Sequence, residues 1–151
     1  MKKLTFDSGI REFEINGNAV LRFNPSDPNV YSRFMEAAEK IQTVEEKLVA
    51  DAKMLNDENS DNHGELVLRI LSDADKEVKA ILTGVFGAEN DFDQIMNGVN
   101  MLAVGSNGER VITNFLNALL PVFQEGIENY VNPAVDKARQ NRAQRRAKPK
   151  A

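Results

Sequence analysis

The densest run of potential metal ligands in this chain is Asp57-Glu58-Asn59-Ser60-Asp61-Asn62-His63-Gly64-Glu65. Asp57, Asn59 and Asp61 stand at the first, third and fifth positions of an EF-hand loop. Such a loop also needs Gly at its sixth position and a bidentate Glu at its twelfth, where this chain has Asn62 and Leu68. The run therefore reads as a polar loop between helices, with His63 exposed in it and no second ligand in reach by sequence. His63 is the single histidine, and the chain contains no Cys and no Trp. A thiol nucleophile, a disulfide framework, a zinc ribbon and a His–His metal motif are excluded, and a Ser-His-Asp triad has only one available base. Gly84 and Gly87 are three apart, but they follow a helix instead of opening one, and no lysine comes after them, so they are not a phosphate loop. No activated nucleophile or paired-carboxylate pocket emerges. The residues argue against an enzyme and call for no cofactor and no metal.

The other chemistry-bearing feature is charge. Lys137, Arg139, Arg142, Arg145, Arg146, Lys148 and Lys150 crowd the last 15 residues, which hold no acid. The preceding 136 residues carry 12 basic against 23 acidic groups, a net of −11 concealed by the overall −4. An acidic body with a +7 tail is strongly polarised. Such a tail is the electrostatic footprint of a small nucleic-acid-binding accessory protein, which is the alternative reading. Against it, the body repels phosphate and the tail has no aromatic for base stacking. An acidic protein surface, including that of a neighbouring copy, is the better target, and a homo-oligomer is a natural consequence.

The elements that carry these groups follow from periodicity. At 151 residues with 42% hydrophobic content, the chain suits one domain with a real core. It has no apolar run of about 18 residues, so no membrane span is expected, and no apolar stretch follows Lys2-Lys3, so no secretory signal is expected. Arg11 to Ile15 alternates with Phe13 and Ile15 on one face and Glu12 and Glu14 on the other. Asn16-Gly17 is the strongest short turn signal, and Ala19 to Phe23 returns. Thr5-Phe6 is placed as a third short strand before a Ser8-Gly9 turn. Asp27 and Pro28 then start a helix whose apolar stripe runs from Val30 to Leu55. A second helix runs from near Gly64 to Val85, with Asn62 and Glu65 as cap and reciprocating acid, and stops at the Gly84/Gly87 pair. A short helix fits Asp91 to Asn97. The last helix is expected to open at a Ser106–Glu109 capping box, to be kinked or segmented by Pro121 and Pro133, and to break best at Asn132-Pro133.

The fold class is thus mainly α: a small domain of three or four helices with an N-terminal β-hairpin and a flexible basic C-terminal tail. The expected organisation is a hairpin arm over 1–24, a helical body over 25–136 and the tail over 137–151.

Four stretches carry a resemblance: FNPSDPNVYSRF at 23–34, FG…DFDQI at 86–95, FLNALLPVFQEGIENY at 115–130 and QNRAQRRAK at 140–148. Together, over roughly residues 20–148, the chain resembles the tail assembly chaperones of long-tailed bacteriophages and prophages. That resemblance implies a helical, non-enzymatic protein that coats the tape measure protein and recruits tail-tube subunits. It implies action in the cytoplasm of the bacterial host and absence from the mature virion. The family offers no catalytic residues to carry over. A chaperone must present apolar surface on a soluble body, and Phe86, Phe92, Met96 and Met101, in or beside short segments, are the candidate partner contacts.

Overall fold

The computed structural model describes the backbone of residues 1–57 and 62–147 and the side chains of residues 1–55 and 62–131. The centre of the polar run, 58–61, and the basic residues Lys148 and Lys150 lie outside the described residues.

Alternation builds the first layer. Strand β1 (Arg11–Ile15) pairs antiparallel with β2 (Ala19–Phe23), with Phe13 opposite Leu21 and Ile15 opposite Ala19. Asn16 (φ 51°) and Gly17 (φ 69°) both occupy the left-handed region that the turn demands, and the Asn18 amide closes onto the Ile15 carbonyl at 3.0 Å. An isolated hairpin is marginal in water, and this one lies on the body: Leu21 and Phe23 are buried in the common core. The expected third strand does not form. The sheet has two strands, and Leu4 and Phe6 stand largely exposed.

Helix α1 (Pro28–Asp57) starts where expected, with Pro28 in its first position and the Asp27 carboxylate accepting from the Asn29 amide at 2.9 Å. Helix α2 (His63–Phe86) returns antiparallel to it. Asn62 holds the N-cap position without a capping side-chain bond, and Gly87 (φ 102°) ends the helix by donating to the Thr83 carbonyl. Arg33 of α1 donates from Nε to the Val85 carbonyl, tying the start of one helix to the end of the other. Helix α3 (Phe92–Ile95) is a single turn capped by Asp91, shorter than expected because Asn97 (φ 52°) and Gly98 (φ 75°) reverse the chain at once.

Helix α4 (Val111–Ala147) departs from expectation at both ends. Ser106–Glu109 is no capping box: Gly108 has φ 83°, which a helical first turn does not admit, and the segment closes instead as a tight loop in which Gly105 donates to the Glu109 carbonyl at 2.7 Å. At the other end the break at Pro133 is absent. The helix runs through Pro121 and Pro133 to Ala147, because the Ala-, Arg- and Gln-rich run after Pro133 is made of strong helix formers that offset one missing hydrogen bond. The basic segment is helical as far as Ala147.

The core is organised around Phe123. Its ring lies 5.3 Å from Phe23, 4.6 Å from Phe34, 5.7 Å from Tyr31 and 6.4 Å from Phe86, centroid to centroid. Phe13 stacks on Phe23 at 4.9 Å, and Phe86 continues through Phe92 to Phe115. Every element contributes a ring. Around this cluster α4 buries Ile112, Phe115, Leu119, Phe123 and Gly126, spaced at three and four residues, and it continues for about 30 Å beyond Gly126.

Gly126 is where α4 meets the turn before α1. A Cβ there would run into the Pro25 carbonyl. Gly126→Ala is expected to cost about 1–3 kcal/mol, read as a lower urea midpoint at unchanged slope. Gly84, inside α2, has nothing within 4 Å of its would-be Cβ, so Gly84→Ala is expected to gain roughly 0.5–1 kcal/mol.

Candidate functional site

The residues proposed for metal chemistry do not converge. Among the described residues no group of three or more His, Cys, Asp and Glu side chains is placed to hold a metal ion. His63 is not simply exposed: it is half-buried, and its Nδ1 donates to the Leu55 carbonyl at 3.1 Å, bridging the end of α1 and the start of α2.

The four candidate partner contacts need correction. Phe86, Phe92, Met96 and Met101 are all buried in the core. Phe86 and Phe92 belong to the ring cluster, and Met101 is held in place by its amide, which donates to Asp75 Oδ1 at 2.7 Å. Short, weakly specified segments are fixed here by side chains from α2 and from the turn that follows it, which is why they close the core instead of opening a groove.

Those side chains form two buried polar latches. Lys79 pairs with Asp75 at 2.9 Å and with Asp93 at 3.0 Å, joining α2 to α3, and its side chain is only 11% exposed. Burial by itself lowers the Lys79 pKa, but the hydrogen bonds and attraction of the two carboxylates outweigh it and hold the ammonium above its ordinary 10.5. Asn90 is the second latch. Its Oδ1 accepts from the Arg22 amide at 2.8 Å, and its Nδ2 donates to the Arg22 carbonyl at 2.9 Å and to the Phe86 carbonyl at 2.8 Å. One side-chain amide thus pairs with the outer edge of β2 as a strand would. Among the described residues no buried side-chain nitrogen or oxygen lacks a partner.

Surfaces able to receive a partner lie elsewhere, on α4. A cleft of about 450 Å³ opens between β1 and the first turns of α4; Phe13, Ile15, Met96, Val111, Phe115, Ala118, Leu119 and Val122 make its lining mostly apolar, and Glu14, Asn16 and Asn114 complete it. Met96 is the one candidate contact that reaches it. Farther along α4, Leu120, Tyr130 and Val131 are exposed and Ile127 is half-buried. Leu120, Ile127 and Val131 recur at seven and four residues, so they share a face. The sequence signal for both surfaces is present but easily passed over: the apolar sector of α4 is wider than one buried stripe needs. Lys137, Arg139, Arg142, Arg145 and Arg146 fall on the last turns of the same helix.

No family model, no curated protein and no solved structure matches the chain. No helix among the described residues is long and apolar enough to cross a membrane.

Lys79→Met is expected to cost about 3 kcal/mol, because it strands Asp75 in a buried site. Since Lys79 titrates higher in the folded than in the unfolded chain, its contribution is complete below the ordinary lysine value and is lost as pH rises through the folded value. The difference in urea midpoint between wild type and Lys79→Met should therefore be constant below the ordinary lysine value of 10.5 and shrink as the pH rises above it.

Proposed function

We propose that this chain is a tail assembly chaperone of a long-tailed phage or prophage, acting in the host cytoplasm, binding the tape measure protein, recruiting tail-tube subunits and leaving before the virion is complete. Four resembling stretches support the reading, and three of them fall at the β2–α1 junction, in the α2–α3 segment and in the first half of α4. The observation that carries it is the second apolar face of α4. Leu120, Ile127 and Val131 lie on a helix already committed to the core through another side. Apolar residues at seven- and four-residue spacing are what a long helical partner packs against. The basic last turns then add attraction for an acidic partner surface.

Coexpression with the tape measure protein is expected to keep that protein soluble and to yield a co-purifying complex. Leu120→Asp with Val131→Asp should weaken the complex at least about tenfold, with circular dichroism and thermal midpoint unchanged because both residues are exposed. An equally soluble partner without this chain, or a complex indifferent to both changes, rejects the proposal.

The basic segment separates this reading from that of a nucleic-acid accessory protein. Removing residues 137–151 is expected to weaken the protein complex and to leave the complex resistant to nuclease. Tail-dependent DNA or RNA binding in a mobility-shift assay, falling steeply with salt, favours the accessory protein instead.

A further inference from the structure

The chain has eight phenylalanines, and seven of them (Phe13, Phe23, Phe34, Phe86, Phe92, Phe115 and Phe123) sit in or against the core. The eighth, Phe6, is 82% exposed, and Leu4 beside it is 91% exposed. Both lie in residues 1–10, which form neither helix nor strand. The root of this segment is built. Asp7 Oδ1 accepts from the Gly9 amide at 2.8 Å, and Asn24 donates from Nδ2 to the Ser8 carbonyl at 3.0 Å. Gly9 has φ 77°, and a Cβ on it would strike the Asn24 side chain. The turn that precedes β1 is thus anchored to the end of β2, while the residues before it pair with neither strand.

A matching acceptor exists on the same molecule. Arg22 directs both its amide and its carbonyl to Asn90, away from β1. Arg22 faces Glu12 in the ladder, so the two form a non-hydrogen-bonded pair, and by alternation Glu12 and Glu14 turn their own N–H and C=O groups to the outer edge of β1. Among the described residues no third strand covers that edge. The apolar cleft lies along it, lined by residues of β1 and none of β2. The two segments also match in pattern. In β1, Glu12 and Glu14 alternate with Phe13 and Ile15; in the N-terminal segment, Lys3 and Thr5 alternate with Leu4 and Phe6. Laid side by side with period two, the apolar pair falls over the cleft, and Lys3 falls on the face that carries the two glutamates.

We propose that residues 3–6 of one copy add as a strand to the outer edge of β1 in a second copy, with Leu4 and Phe6 entering the cleft and Lys3 beside Glu12 and Glu14, while Asp7 stays in the turn that its bond to the Gly9 amide closes. Within one chain the anchored Ser8–Gly9 turn leaves these residues unpaired. In a second copy main-chain hydrogen bonds, apolar burial and opposite charge act together, which is strand addition by exchange between identical subunits. The assignment is independent of the phage reading and stands or falls by self-association alone.

Because the chain has no Cys, single cysteines report the contact cleanly. Phe6→Cys chains and differently tagged Ala118→Cys chains, mixed and oxidised, are expected to give the mixed disulfide in preference to either homodimer. Statistical or absent crosslinking overturns the proposal. So does a double variant, Phe6→Cys with Ala118→Cys, that forms only an intrachain bond, since the segment then folds back on its own cleft. In sedimentation velocity the wild type should associate by roughly 100 μM, and Leu4→Asp with Phe6→Asp should weaken association at least about tenfold with unchanged circular dichroism. A wild type that stays monomeric, or a variant that associates equally, refutes it.

Discussion

Packing around the Phe123 ring is the constraint on which the remainder of the molecule depends. A chain of 151 residues that folds as a helical hairpin, a two-stranded sheet, a one-turn helix and a long helix has no single layer able to bury its own apolar face. The rings of Phe23, Phe34, Tyr31 and Phe86 meet at Phe123, so hairpin, both long helices and α4 share one core in place of several small ones. Aromatic side chains suit the task because each brings a large buried area on a stiff stem. The cost is intolerance: α4 must approach the Pro25 turn so closely that only glycine fits at position 126.

Polar residues fix what the rings leave loose. The stretch from Gly87 to Arg110 has little regular structure, and hydrophobic burial alone does not define its path. Lys79, Asp75 and Asn90 define it by direction: each supplies hydrogen bonds that only one placement of α3 and of the Met101 segment satisfies. Buried and fully partnered, they add little net stability relative to an apolar substitute of similar shape, but they exclude alternative packings.

Elements governed by local rules were legible in the residues themselves. The Asn16-Gly17 turn, the Asp27-Pro28 start and the Gly87 stop each rest on backbone geometry that few residue types supply, and each forms where expected. What failed was decided by competition at longer range. Ser106 and Glu109 have the spacing of a capping box, yet Gly108 between them adopts φ 83° and the segment closes as a loop. Pro133 is a helix breaker in isolation, but the helix formers after it carry α4 on to Ala147. Phe86, Phe92, Met96 and Met101 looked available for a partner because their segments are short; Lys79 and Asn90, which bury them, announce nothing in a linear reading. The wide apolar sector of α4 was visible as a run of hydrophobic positions. Which of them face the core and which face outward depends on where the hairpin docks, and no local pattern carries that information.

The Asn90 amide has a consequence for how this sheet can grow. An exposed two-stranded ribbon ordinarily offers two edges, and strands recruited on both produce sheets that extend without limit. Here a side chain occupies the place of a third strand at Arg22, and it does so from inside the fold, where no incoming chain can displace it without dismantling the core. The ribbon is left with one edge open along its length and the other closed at Arg22. Whatever pairs with it can extend a row or close a ring, but cannot branch, and a molecule rich in apolar surface is thereby kept out of open-ended networks by a single asparagine.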